Sequence, residues 1–235
     1  MKWALIAWRE IRWEVFFDRS SLLRTGIFIV IPLLFVITNR GLGPGPGGDL
    51  RIVALAIQSV LFPALSGVAL IASTFVAEKE NGTLVPLLAA PIRDRDIVLG
   101  KLVGMLVPVM AACCFTLAAA YVLAGYRYGV ERVTRVLTPE LVYAFIVLAL
   151  LFVITAGSVT MIVAARVRSS RAAQQIAGLI IALSAALFFG LGFAAIRIGE
   201  GWTLVAVGIG LVAFDAVALE IAQRAWQRGE VLARA

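Results

Sequence analysis

The sequence predicts an all-α integral membrane protein with six transmembrane helices, an N-terminal interfacial helix and one short helix in a cytoplasmic loop. Of its 235 residues, 62% are hydrophobic and 15% are charged, whereas soluble domains have about 45 to 50% and about 25%. The apolar residues fall in six stretches long enough to cross a bilayer, and the basic residues cluster in alternate connections. We therefore predict a single transmembrane domain over residues 1–235.

The N-terminal segment, residues 1–19, is predicted to form a helix at the membrane interface. It carries three tryptophans and two phenylalanines, and such aromatic residues are typical of the headgroup region. Glu10, Glu14 and Asp18 recur every four residues, so they form an acidic ridge along one side of a helix. Like charges at this spacing destabilise an isolated helix. Two interpretations stay open, because the carboxylates are either solvated or dock a cytoplasmic partner.

A transmembrane helix needs about 20 mostly apolar residues, and six stretches meet this requirement. They cover about residues 22–38, 52–76, 102–125, 140–165, 176–196 and 202–222. Arg24 near the start of the first stretch can extend its side chain to the headgroups. The connections are too short for a separate soluble domain, and charged residues before the first stretch do not fit a cleavable signal. Gly100 and Gly104, and likewise Ala206 and Gly210, offer small surfaces for close helix packing.

The distribution of basic residues predicts the orientation. With both termini in the cytoplasm, 15 of the 21 Lys and Arg residues lie inside and six lie outside. The inside residues are five in 2–24, four in 79–101, three in 166–171 and three in 224–234. Cytoplasmic loops carry the excess of Lys and Arg, so we expect a multi-pass protein of the cell membrane with both termini cytoplasmic. Short scattered basic loops do not indicate nucleic-acid binding.

The cytoplasmic loop of residues 77–101 contains the most informative pattern. An Asn-Gly pair favours a turn, the next threonine is a good N-cap and a proline stops the segment after it, so a helix of about two turns is predicted over 84–90. This helix is too short to cross the membrane, and its leucines are exposed unless a partner or the chain's own surface covers them. The residues that define the pattern are Glu80, Gly82, Thr83, Leu84, Leu87, Leu88 and Pro91.

This loop resembles the permease subunits of the type-2 ATP-binding-cassette transporters. The matching pattern is Ala77-Glu78-Lys79-Glu80-x-Gly82-Thr83-Leu84-x-x-Leu87-Leu88-x-x-Pro91-Ile92, followed by Ile97, Gly100 and Lys101. The six predicted spans and cytoplasmic termini match that family along essentially the whole chain. One position departs from the family pattern, because Val85 stands where an acidic residue is common.

The resemblance implies a membrane permease subunit of an ATP-driven exporter or flippase that works by alternating access. In that family the short loop helix is a coupling helix seated in a cleft of a separate cytoplasmic ATPase, and residues 1–19 would be the connecting helix. The resemblance also implies a homodimer, or a heterodimer with a second permease, among the membrane lipids. ATP and Mg²⁺ would bind in the partner ATPase. The seven residues of the loop pattern would have the coupling role, and the acidic ridge would dock the partner.

Chemistry that breaks bonds is not expected in this chain. No Gly-x-x-x-x-Gly-Lys-Ser/Thr motif occurs, so the usual loop for ATP phosphates is missing. Histidine is absent and the two cysteines are adjacent, which leaves no predicted metal site and no Ser/His or zinc protease site. We therefore predict a non-enzymatic chain without a cofactor of its own.

Polar residues within the predicted spans mark a candidate transport path through Gln58, Ser66 and Asp215. An intramembrane carboxylate is a candidate functional group, but Asp215 could equally pair with a cation or stay neutral and hydrogen-bonded. Two rival functions stay open. A carrier or channel driven by an ion gradient would use Asp215 as its titrating group. A non-transporting membrane assembly factor would tolerate the loss of all three side chains.

Overall fold

The computed structural model describes residues 2–16, 19–38, 46–80, 93–166 and 201–225, together with isolated positions between 175 and 190. All regular secondary structure in these residues is helical, as predicted. The helices are α1 (Lys2–Phe16), α2 (Arg19–Thr38), α3 (Pro46–Glu80), α4 (Asp94–Tyr128), α5 (Val130–Val136), α6 (Pro139–Arg166) and α7 (Gly201–Ala225).

Three helical segments in the described part of the chain are long and apolar enough to cross a membrane. They are Gly47–Gly67, Arg95–Tyr128 and Pro139–Val163, and they correspond to the second, third and fourth predicted spans. The first predicted span corresponds to a shorter apolar helix, Thr25–Thr38. The last predicted span, 202–222, lies within α7. The predicted span 176–196 falls almost wholly outside the described residues.

The core of the bundle lies between α3, α4 and α6. The α2 helix packs on α3 and α4, α7 packs on α6, and α1 packs on α4. Val60, Met105 and Phe152 are among the fully buried side chains of this core. A Cβ atom at Gly67 would overlap the side chain of Val109, so the glycine lets α3 and α4 approach closely.

The short helix α5 is not indicated by the sequence. Gly129 ends α4 because it adopts a positive φ of 92°, which costs glycine little, and its N–H donates to the carbonyl of Gly125 at 3.1 Å. The chain then turns into α5, whose Val133 is buried. Seven residues with three charges show no clear helical period, so the sequence predicts only a connection at this point.

Candidate functional site

The α1 helix rests on the first turns of α4, the part of α4 that ends the 77–101 loop. Glycines on α4 make this close approach feasible. A Cβ atom at Gly100 would lie 2.8 Å from the Cβ of Ile6, and one at Gly104 would lie 2.7 Å from the Cβ of Glu10. The predicted small surface at Gly100 and Gly104 is therefore confirmed. In contrast, a Cβ atom at Gly210 would meet nothing within 4 Å.

One face of α1 supplies the contact with α4. Ile6, Ala7 and Glu10 are buried. Ile6 and Ala7 precede Glu10 by four and three residues, so the three side chains lie on a single helix face. Leu5 and Trp8 are exposed on another face. The α1 helix thus has one face packed on the bundle and exposes apolar side chains on another.

The buried face of α1 carries an ion pair with α4. The Nζ atom of Lys101 lies 3.4 Å from Oε1 of Glu10, and the two side chains are only 1% and 6% exposed. From the sequence, Glu10 belongs to an acidic ridge that is solvated or docks a partner, and Lys101 marks the entry of its helix into the bilayer. The structure instead turns Glu10 toward Lys101, because α1 and α4 are close enough for the charges to compensate each other. The side chain of Glu14 and all of Asp18 lie outside the described residues.

All of the predicted coupling residues except Glu80 lie between α3 and α4 in the sequence. Glu80 is the last residue of α3, and α4 begins at Asp94. The other coupling residues lie outside the described part of the chain, namely Gly82, Thr83, Leu84, Leu87, Leu88 and Pro91. Since α3 and α4 pack against each other in the core, the loop joins two helices at the centre of the bundle.

The three predicted path residues do not come together. Gln58 and Ser66 lie on α3, whereas Asp215 lies on α7, and α6 packs against both helices. The Ser66 hydroxyl donates to the carbonyl of Pro63 at 2.7 Å, so it is satisfied within its own helix. Gln58 is half-buried, and its Oε1 atom is buried without a hydrogen-bond partner.

Asp215 takes part in a polar cluster between α6 and α7. The carboxylate is 6% exposed, and its Oδ1 accepts a hydrogen bond from the buried Thr155 hydroxyl. Its Oδ2 atom and the Oγ atom of Ser158 are buried and have no hydrogen-bond partner. Ser158 follows Thr155 by three residues, so the two hydroxyls lie on one face of α6. We call Asp215, Thr155 and Ser158 the α6–α7 polar cluster.

The sequence indicated Asp215 but neither of its hydroxyl neighbours. Hydroxyls in membrane helices commonly bond to their own backbone, and two other buried threonines of this chain do so. Thr116 donates to the carbonyl of Ala112 and Thr160 to that of Ala156, each at 2.7 Å. Thr155 looks the same in the sequence, and only the packing of α6 on α7 distinguishes it.

Two polar contacts join helices near the start of α3 and the end of α4. The Nε and Nη2 atoms of Arg132 lie 2.9 and 2.8 Å from Oδ1 of Asp49, which links α5 to the first turn of α3. The Tyr128 hydroxyl donates to the carbonyl of Val36 at 3.0 Å, which links α4 to α2.

Within the described residues, no cluster of His, Cys, Asp and Glu is large enough to hold a metal ion.

A helical bundle with several membrane-length apolar helices defines an integral membrane protein of the multi-pass class. The family model described as "ABC-2 type transporter" matches residues 1–206. The chain therefore belongs to the ABC-2 type transporter family, which confirms the resemblance of its loop pattern. No curated protein matches the chain. The chain is a membrane permease of this family and is non-catalytic, since such permeases use a separate ATPase.

Proposed function

We propose that this chain is the permease subunit of an ATP-driven exporter or flippase, coupled to a separate ATPase through the 77–101 loop. The observation that carries this proposal is the position of the loop between two packed core helices. A force applied to the loop would act on the end of α3 and the start of α4 together. Because α1 rests on the same end of α4, the motion would extend to the N-terminal helix.

The proposed topology has six spans in the cell membrane and both termini in the cytoplasm. The excess of basic residues in the proposed cytoplasmic segments supports this orientation. The set of six spans is completed by residues 176–196, whose composition is apolar. In this orientation the Arg132 to Asp49 contact lies on the outer side, and the contact of α1 with α4 lies at the cytoplasmic side.

The proposed working unit contains two permease chains, either identical or different, and cytoplasmic ATPases that bind ATP and Mg²⁺. The α2 helix supports this proposal because it exposes a stripe of large apolar side chains for a second permease or lipid. The stripe consists of Leu23, Ile27, Val30 and Leu34. Glu14 and Asp18 remain the docking candidates for the ATPase. The assignment of Gln58, Ser66 and Asp215 to a transport path stays a prediction.

Co-purification tests the proposed coupling. We expect the affinity-tagged chain, extracted in mild detergent from its native cells, to retain an ATPase with Walker motifs that mass spectrometry identifies. Replacing Leu84 or Leu87 with Asp should reduce the retained ATPase at least tenfold, because a charge would enter an apolar contact. The matched control is Val85→Glu in the same short helix, at the position where the family commonly has an acidic residue.

The control variant should retain the ATPase at the wild-type level, and size-exclusion chromatography should show that all three variants elute like the wild type. If ATPase association survives both leucine replacements, the coupling assignment is wrong. If the wild-type chain retains no ATPase at all, a carrier driven by an ion gradient or an assembly factor becomes the better account.

A further inference from the structure

The α6–α7 polar cluster places a carboxyl group in the bundle without a counter-charge. An ionised carboxylate is very costly in an apolar environment unless a cation or several hydrogen bonds compensate it. Asp215 has one such bond, from Thr155 to Oδ1, while Oδ2 is buried without a partner. Its charge must therefore be neutralised by something other than the hydrogen bonds of the described residues.

The described ionisable groups of α6 and α7 do not supply that charge. On α7, Arg224 pairs with Glu220 at 2.8 Å, and both side chains are exposed. Between residues 141 and 163 of α6 the only titratable side chain is Tyr143, which is exposed.

The α4 helix also approaches α7, and its basic side chain within the bundle is already engaged. Lys101 pairs with Glu10, and the thiol of Cys113 lies 3.5 Å from the carbonyl of Val60. Cys114, its neighbour in the chain, is exposed. Among the described residues, then, no ion pair involves Asp215.

The cluster offers few oxygen atoms for a divalent metal ion. A Ca²⁺ ion takes six to eight oxygen ligands and Mg²⁺ requires near-ideal octahedral coordination. The cluster offers three side chains, and the Thr155 hydroxyl already donates to the carboxylate. A proton requires a single acceptor atom, and Oδ2 of Asp215 is one that no other group occupies.

We propose that the α6–α7 polar cluster is a proton-binding site, in which Asp215 is held as a neutral carboxylic acid inside the bundle. An O–H bond forms on Oδ2 as one O–H bond of a hydronium ion breaks, which leaves a water molecule behind. Thr155 donates to Oδ1, and the proton resides on Oδ2, which is buried without a partner. Loss of the proton would place a bare charge between α6 and α7 and weaken their packing.

Infrared difference spectroscopy of the full-length chain in lipid nanodiscs tests the proposal, and it does not depend on the proposed transport function. At about pH 7, where an ordinary aspartate is ionised, the wild type should show the C=O band of a protonated carboxyl group. Asp215→Asn should lose this band, whereas the exposed control Glu220→Gln on the same helix should keep it. Ser158→Ala should keep the band at its frequency, because the Ser158 hydroxyl has no hydrogen-bond partner.

Labelling aspartate with ¹³C in the wild type provides a second measurement that does not require a folded Asp215→Asn variant. The label should shift the band to lower frequency. The proposal is overturned if the wild type shows no protonated aspartate band, if Asp215→Asn retains the band, or if the label leaves it unmoved. It is also overturned if the band appears in buffer free of Na⁺ and disappears when Na⁺ is added, since the bound charge is then a metal cation.

Discussion

The pairing of Glu10 with Lys101 shows how a residue's role depends on what lies opposite it. Along the sequence, Glu10 shares its spacing with Glu14 and Asp18 and resembles one member of a solvent-facing row. In the structure a basic side chain 91 residues away, Lys101, lies opposite it and both are buried. Sequence spacing predicts which residues share a helix face, but it does not predict which other helix covers that face.

Removing one partner of this ion pair should destabilise the protein strongly. Lys101→Met leaves the Glu10 carboxylate buried without its cation, which typically costs about 3 to 5 kcal/mol. The double variant Glu10→Gln with Lys101→Met removes both charges and should recover most of that loss. The measurement is the free energy of unfolding from denaturant titration in detergent micelles.

The control for this prediction is Arg224→Met, which breaks the exposed pair with Glu220 on α7. Exposed pairs at i, i+4 contribute about 0.3 to 0.5 kcal/mol, so the control should change little. A Lys101→Met variant as stable as the control, or a double variant less stable than Lys101→Met alone, would show that the two charges do not stabilise each other.

At the scale of helices, the attachment of α1 to α4 depends on small residues. Gly104→Ala would bring a Cβ atom within 2.7 Å of the Glu10 Cβ and 3.1 Å of the Ala7 carbonyl oxygen. Overpacking of this kind costs about 1 to 3 kcal/mol. We expect α1 to detach more often, so trypsin should cleave at Arg9 and Arg12 several-fold faster than in the wild type.

Gly210→Ala is the matched control, because nothing lies within 4 Å of the added Cβ atom. Alanine is favoured over glycine in a helix by about 0.5 to 1 kcal/mol, so this variant should be as resistant to trypsin as the wild type or slightly more so. Equal cleavage rates for the two variants would contradict a close contact at Gly104.

The helices can be predicted well where composition determines them and poorly where packing does. The apolar stretches mark α2, α3, α4, α6 and α7, but α3 begins at Pro46 and α4 extends from Asp94 to Tyr128, beyond the apolar windows. A hydropathy window ends where the bilayer core ends, whereas backbone hydrogen bonds continue a helix into the headgroup region. The α5 helix escapes prediction because its seven residues depend on the turn at Gly129 and on burial of Val133.

The residues of the candidate sites also differ in whether the sequence alone indicates them. Asp215 is evident from the sequence because a carboxylate is unusual in an apolar stretch. Thr155 and Ser158 give no such signal, since hydroxyl residues are common in membrane helices and usually bond within their own helix. Their grouping with Asp215 depends on how α6 sits against α7, which no local pattern in the chain specifies.

At the scale of the whole molecule, the chain is a non-catalytic bundle whose proposed energy source lies outside it. The chain belongs to the ABC-2 type transporter family over residues 1–206, whose permeases typically pair with a separate ATPase. The proposed mechanical route leads from the 77–101 loop into α3 and α4, which pack together, and from α4 into α1, which packs on it. Energy transfer along this route is the central claim, and it requires a functional effect of the permease on the ATPase.

The rate of ATP hydrolysis by the purified partner ATPase tests this claim most directly. The rate should be measured in lipid vesicles without permease, with the wild-type permease and with the Leu84→Asp permease. We expect the wild-type permease to change the rate several-fold, because the proposed coupling would link nucleotide-driven closure to the bundle through the loop. The Leu84→Asp permease should leave the rate at that of the ATPase alone. A rate that is the same in all three preparations would contradict energy transfer through the loop.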